Sequence, residues 1–255
     1  MALTVTVLGT ASPHPRPGHP CSGYLLSAGD IRVWVDAGPG TFAELQRHVR
    51  PDELSAIWIS HLHSDHWADL IAAEAGIADG GLSVPRPIPV YAPAGCAKRL
   101  AGFFGASGPE DLDATILDFR ELSDGLHLDL DGLRLTSRAV RHSGMEAYGL
   151  RAEAEGEVLA YSGDSGPCPA LRELAEGADL LLCEADIDRA PAGGEPQRHL
   201  TPEDAGELAR TARVGKLLVT HVGPTLTPDE AVERAATAFG GRTVRAREGA
   251  TYQLT

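Results

Sequence analysis

Three imidazoles and a carboxylate fall within six residues at His61-Leu62-His63-Ser64-Asp65-His66. Imidazole nitrogen and carboxylate oxygen suit borderline divalent metals such as zinc, whereas a closed structural zinc site would ordinarily use cysteine thiolates. The motif directly follows the apolar run Ala56-Ile57-Trp58-Ile59, which predicts a buried strand with the cluster on the loop at its end. In an extended segment side chains two apart point the same way. His61 and His63 are therefore placed to grip one ion while Asp65 and His66 turn toward a second. This pattern predicts a dinuclear metal hydrolase.

The elements that must position these groups repeat one event, a strand ending in a metal-binding residue type. Strands predicted over 133–140, 158–161 and 216–220 deliver His142, Asp164 and His221. Ligands gathered from several strand ends sit on rigid elements and leave the loops free to shape access. Other strands are expected over 3–8, 22–26, 31–35, 54–60, 84–91 (interrupted by prolines), 126–130, 148–152, 180–183, 242–245 and 251–254. Between 115 and 135 the pattern is weaker. Phe42, Leu45 and Val49 are spaced for a short helix, and further helices are expected over 67–78, from Pro93 through Phe104, and over 170–176. Thr201 with Pro202, and Thr227 with Pro228 and Glu230, mark two more helix starts, the second ending at Gly240-Gly241. No repeat and no long linker divides the chain, so one domain over 1–255 is expected.

Composition narrows the class. The 255 residues are 43% hydrophobic and 23% charged, ordinary for a globular protein with a sizeable core. The four cysteines, Cys21, Cys96, Cys168 and Cys183, form no Cys-x-x-Cys pair, which argues for reduced thiols and a cytoplasmic location. No stretch nears the roughly 18 apolar residues of a membrane span, and the N-terminal residues alternate like a strand rather than forming a signal peptide. With a net charge of −14 and no Lys/Arg run, a nucleic-acid polymer is a poor partner, since such binding rests on phosphate neutralisation.

The His-x-His-x-Asp-His signature, with His142, Asp164 and His221 following at matching intervals, resembles the metallo-β-lactamase fold superfamily over essentially the whole chain. The resemblance implies an α/β fold, a four-layer αββα sandwich. It implies that His61, His63 and His142 hold one ion, that Asp65, His66 and His221 hold another, and that Asp164 bridges them. Two further stretches are similar to the ribonuclease Z-like branch. Cys183-Glu184-Ala185-Asp186 is similar to that branch's His-Glu-Ala-Thr loop, and His199-Leu200-Thr201 to its His-Ser-Thr loop. Carried over, Glu184 orients His199, and His199 protonates the leaving oxygen. Ribonuclease Z itself carries a tRNA-holding arm between the third metal histidine and the bridging aspartate. Here His142 and Asp164 lie only 22 positions apart, room for two strands and a turn. The resemblance is thus to arm-less relatives that hydrolyse small phosphodiesters such as cyclic nucleotides, with tRNA 3′-end cleavage the less favoured reading.

The expected reaction is attack on a small anionic substrate by a water whose pKa two divalent ions have lowered, the ions also stabilising charge on phosphoryl oxygens. Zinc is the expected metal, and manganese and iron accept the same ligand set. A carbonyl hydrolase (esterase, lactonase or β-lactam hydrolase) on the same ions is the alternative, and a non-enzymatic metal-holding regulator a third reading. Homodimerisation is an expectation carried by the branch alone. Asp36 and Asp69 read as supports for ligands or turns, since carboxylates commonly orient metal-bound histidines. Trp67 reads as packing, and His14, His19, His48 and His127 as solvated, the proline-rich loop of His14 and His19 being placed to edge the site.

Overall fold

The computed structural model describes residues 2–254. In its first half the elements are β1 (Leu3–Gly9), β2 (Gly23–Ala28), β3 (Ile31–Val35), α1 (Thr41–Leu45), β4 (Ala56–Trp58), α2 (Ser64–Trp67), α3 (Asp69–Ala78), β5 (Ile88–Ala92), α4 (Cys96–Phe103) and β6 (Leu117–Glu121). The second half holds β7 (His127–Leu130), β8 (Leu133–Ala139), β9 (Tyr148–Ala154), β10 (Glu157–Tyr161), α5 (Pro169–Ala175) and β11 (Leu180–Glu184). It continues through α6 (Pro202–Thr211), β12 (Lys216–Thr220), α7 (Pro228–Phe239), β13 (Arg242–Arg245) and β14 (Thr251–Gln253).

The strands form two seven-stranded sheets, ordered β14-β1-β2-β3-β4-β5-β6 and β13-β12-β11-β10-β9-β8-β7. Each is antiparallel on one side, where tight turns join β2 to β3, β7 to β8 and β9 to β10, and parallel on the other, where helices make the crossovers. Side chains alternate across each strand, so the inner and outer faces fill different cores. Ala56 and Trp58 of β4 point between the sheets, where they meet Leu135, Leu150, Tyr161 and Leu182. Ile57 and Ile59 point outward under α1, α3 and α4, against Trp34, Phe42, Leu70 and Leu100. Leu181 and Leu217 likewise lie under the alanine faces of α6 and α7, at Ala205, Ala209, Ala231 and Ala235. Three cores between four layers make the αββα sandwich.

The departures from the sequence expectation are local. The strand expected over 84–91 begins only at Ile88, because Pro85 and Pro87 lack the N–H that a ladder needs. β6 was outside the expected pattern. As the edge strand it carries Asp118, Arg120 and Glu121 rather than a clean apolar face, the usual protection of an exposed edge. α1 stops at Leu45, and Val49 reaches the outer core from beyond it. The helix expected over 67–78 is α3 preceded by the single turn α2, which places Asp65 and His66 on helical rather than extended backbone. Both expected helix starts hold, with Thr201 bonding Asp204 N and Thr227 bonding Glu230 N in reciprocal capping boxes.

What matters for the site is direction. β3, β4, β10, β11 and β12 end at one edge of the sandwich, and β1 and β8, each two antiparallel steps from a parallel strand, end there too. The crevice beyond the carboxyl ends of parallel strands is where open α/β sheets bind ligands.

Candidate metal centre

At that edge the strand ends deliver Asp36, Ser60 with His61, Asp164, Glu184 and His221, and the loops between them deliver His63, His142 and His199. His142 lies three residues past β8 and is fixed by a bridge to Met145 rather than by the strand itself. The loop after β3 clamps the histidine motif, with Ala37 N donating to His66 O at 2.6 Å. Gly38 lies so close that a Cβ there would meet Asp65 O at 2.1 Å. His221 (φ 45°) and Asp36 (φ 57°) both occupy the left-handed region, a strain of order 1 kcal/mol that non-glycine residues hold only when their surroundings impose it.

The rings converge in two groups. His63 Nδ1 lies 3.1 Å from His61 Nε2 and 3.0 Å from His142 Nε2. That is close to the edge of a tetrahedron, about 3.3 Å, spanned by nitrogens about 2.0–2.1 Å from a common ion. His61, His63, His142 and Asp164 form one group of convergent donor atoms, and Asp65, His66 and His221 form another. Asp164 Oδ2 stands between them, 3.7 Å from His61 Nε2, 3.3 Å from His66 Nε2 and 3.2 Å from His221 Nε2. His199 joins Asp164 and His221 in a third grouping.

The far side of four of these rings is tied down, which turns their other nitrogen toward the shared space. His66 Nδ1 donates to Asp36 Oδ2 at 2.8 Å, and His142 Nδ1 donates to Arg198 O at 3.0 Å. Ser60 Oγ donates to Asp36 Oδ2 at 2.8 Å and so can accept from His61 Nδ1 at 3.0 Å. Ser22 Oγ meets His221 Nδ1 at 2.7 Å. Ligating histidines are held in this way. Among the described residues, His66 Nε2, His221 Nε2 and Asp164 Oδ1 are buried polar atoms with no hydrogen-bond partner. Buried groups are rarely left so; lone pairs aimed at a shared point fit a divalent cation.

The charges agree. Burial, helped by His66, pushes His61 well below the usual imidazole range, and burial also lowers His63 and His142. Burial works downward most strongly on His66 and His221 as well, but the carboxylates together raise both, Asp164 with Asp36 at His66 and Asp164 with a smaller part from Asp186 at His221. Asp164 in turn is held well below the carboxylate range, the two rings overcoming its own burial. Those protons are the ones a cation would displace. To one side, His199 Nδ1 lies 3.1 Å from Glu184 Oε1. Burial raises Glu184 to about 7 against the pull of His199. Burial lowers His199, but its bond to Glu184 and that charge carry it up to about 10. The pairing thus favours the proton on His199. A cavity of about 410 Å³ opens over this arrangement, lined by Ser12, His63, Asp65, Asp164, Asp186 and His199 among others.

Residues 31–222 match the family model described as the β-lactamase superfamily domain. The chain belongs to this superfamily. It is 35% identical to an uncharacterised protein of Mycobacterium leprae over all of this chain and 89% of that one. It is 32% identical to ribonuclease Z of Mycobacterium marinum over 94% of each chain. Among solved structures it is similar to the metallo-β-lactamase fold protein YhfI from Bacillus subtilis, at 25% identity and a TM-score of 0.83, covering 99% of this chain and 100% of that one. The metallo-β-lactamase fold is thus common to sequence, architecture and relatives.

Within this fold every residue singled out from the sequence, His61, His63, Asp65, His66, His142, Asp164, Glu184, His199 and His221, lies at the one edge. Asp36 supports rings as expected, and Asp69 Oδ2 accepts Phe42 N at the start of α1. His19 is drawn aside, bonding Glu248 and lining a smaller cavity behind His221; Ser12 and Pro13 of the same loop edge the larger one. Sequence reasoning missed Ser22, Ser60 and Tyr161 as supports, and Asp186 as a cavity wall. A lone serine or tyrosine carries no local signal. For Asp186 the signal was its position two residues after Glu184.

Proposed function

We propose that the chain is a dinuclear metal-dependent hydrolase of small phosphodiesters, cyclic nucleotides being the fitting class. His61, His63 and His142 would hold one ion, Asp65, His66 and His221 the other, and Asp164 would serve both; zinc suits this nitrogen-rich set. When bound, such ions supply a hydroxide near neutral pH and offset the charge that builds on phosphoryl oxygens. The chain's own residues do the rest. Asp36 and Ser22 fix the ring orientations, Glu184 holds His199 by Nδ1, and His199 gives its proton to the departing oxygen.

The observation that carries this reading is the His199 ring held 3.1 Å from Glu184 Oε1 and 3.9 Å from Asp164 at the cavity wall, where an acid for a leaving oxygen is needed. A carbonyl hydrolase with a good leaving group has less need of a placed acid. A relative named ribonuclease Z also favours phosphorus as the electrophile. The cavity favours a small substrate, and β9 and β10 with their turn fill the interval between His142 and Asp164, leaving no room for an arm that would hold RNA.

The test is turnover of bis(p-nitrophenyl) phosphate and of 3′,5′-cyclic nucleotides by metal-loaded protein, beside a lactone and a β-lactam. His63→Ala should abolish phosphodiester cleavage. His199→Ala should keep its metal yet lose about 10²–10⁴ in rate on the cyclic nucleotide. Full metal loading with no phosphodiester turnover, or lactone turnover indifferent to His199→Ala, would overturn the reading in favour of carbonyl chemistry.

A further inference from the structure

The cavity wall holds one carboxylate that neither ion set includes. Asp186 follows β11, and in the loop that resembles His-Glu-Ala-Thr it stands where that pattern has a threonine. The fold grips it from three sides. Ser12 Oγ donates to Oδ1 at 2.6 Å across 174 residues of sequence, and the Asp186 N–H donates to Glu184 Oε2 at 3.1 Å. Opposite, a Cβ at position 223 would lie 2.1 Å from Asp186 O and 2.9 Å from Oδ1, so Gly223 makes the room in which the carboxylate sits.

This group faces the reacting centre. Oδ1 is 3.8 Å from His221 Nε2, and Oδ2 is 3.9 Å from His199 Nδ1. Its side chain is only 16% exposed, and among the described residues no arginine or lysine lies within ion-pair distance of it, its charged neighbours being those two rings. No arginine or lysine therefore cancels the charge at the cavity wall, and once His199 has given its proton to the leaving oxygen that ring no longer offsets it.

Resting on the phosphodiesterase reading above, we propose that Asp186 is a specificity-determining residue. It admits singly charged phosphodiesters and turns away doubly charged phosphomonoesters. The reaction itself creates that difference. Water adds a P–O bond, the ester P–O bond to the leaving oxygen breaks with His199 supplying its proton, and the product is a phosphomonoester whose second ionisation falls near pH 6. The product thus carries about one charge more than the substrate, and Asp186 hastens its departure. An added charge about 6 Å away, at an effective dielectric constant between 80 and 20, corresponds to weakening by about threefold to about a hundredfold.

The experiment compares phenylphosphonate, a dianion, with its monomethyl ester, a monoanion of nearly the same shape, by titration calorimetry on metal-loaded protein at pH 8. Asp186→Asn keeps the oxygen that Ser12 bonds and removes the charge. It should shift the affinity ratio toward phenylphosphonate by about tenfold, and phenylphosphonate should inhibit bis(p-nitrophenyl) phosphate turnover more strongly by the same factor. Asp186→Glu, which keeps the charge, should leave the ratio near that of the unaltered protein. A ratio that moves less than twofold in Asp186→Asn, or that moves equally in Asp186→Glu, overturns the assignment. Should the unaltered protein cleave no phosphodiester, the function fails, while the binding ratio still decides the role of Asp186.

Discussion

Asp36 is the residue whose replacement the structure makes most informative. Its Oδ1 accepts Ser60 N at 2.7 Å, and its Oδ2 accepts His66 Nδ1 and Ser60 Oγ at 2.8 Å and Tyr161 Oη at 2.7 Å. Through Ser60 it also fixes the His61 ring. One carboxylate thus sets a tautomer in each of the two ligand groups without touching either ion position. Asp36→Asn is nearly isosteric, and asparagine tolerates the left-handed backbone at this position, so the substitution changes the hydrogen bonds alone. If the new amide nitrogen takes the Oδ2 side, three donors face a donor. The Ser60 and Tyr161 hydroxyls can rotate to accept. The His66 ring can comply only by moving its proton to Nε2, the nitrogen that must stay bare.

A buried donor left unmatched costs about 1–3 kcal/mol, and a hydrogen bond to a charged group contributes about 1.5–3 kcal/mol. We expect the metal-free variant to lose about 2–5 kcal/mol of stability, and metal affinity to fall about 10- to 100-fold, the usual effect of removing such a support. Urea unfolding in chelator, followed by the fluorescence of buried Trp34 and Trp58, reads the first quantity, and competition with a chromophoric chelator the second. Tyr161→Phe is the control. It removes one donor, costs about 1 kcal/mol and should leave metal affinity within about twofold. An Asp36→Asn protein with unaltered metal affinity would refute the argument that this carboxylate sets the tautomers.

Stripping the ions should destabilise the fold, because a ligand that binds only the native state at a hundred times its Kd stabilises it by about 2.7 kcal/mol. For a chain of this size that is about 5–11 °C in Tm per ion, seen by calorimetry before and after chelation and reversed on adding metal. Burial pushes the Cys21 and Cys96 thiols up to about 12 and Cys183 higher still. At pH 8 a thiol at about 12 is about one part in ten thousand ionised, and its reactivity rises about tenfold per pH unit below that value. Iodoacetamide should therefore label half-buried Cys168 alone in native protein and all four cysteines in urea, with mass spectrometry reading the sites; rapid native labelling of Cys21 would contradict the packing described.

The candidate ligands were legible in the sequence because each follows a strand signal, and the family resemblance then implied their roles. Ala56–Ile59 reads as a strand buried on both faces, and a histidine-rich turn after such a strand has few structural uses. Asp164 and His221 each follow a short apolar run of the same kind. The supports were illegible for the opposite reason. Ser22 meets His221 across 199 residues, and Tyr161 meets Asp36 across 125, pairings that no periodicity encodes. β6 escaped because an edge strand carries charges where an inner strand carries a pattern. Asp36 lay between the two cases. Its position after a strand suggested a supporting role, and the fold shows that it reaches a histidine in each of the two donor groups, His66 directly and His61 through Ser60.

These supports follow a rule that bears on stability as well as chemistry. Ser22 and Asp36 belong to the first sheet and its loops, while their partners His221 and Tyr161 belong to the second. Asp164, from the second sheet, faces His66, from the first. Several polar contacts of the site are therefore also contacts between the sheets. Asp164 and the His66 and His221 rings attract one another across that edge, and cations held between the donor groups would add to that attraction. On the proposed reading, metal binding and the docking of the two halves would be coupled, which is why a substitution at Asp36 should be read in both unfolding and metal affinity.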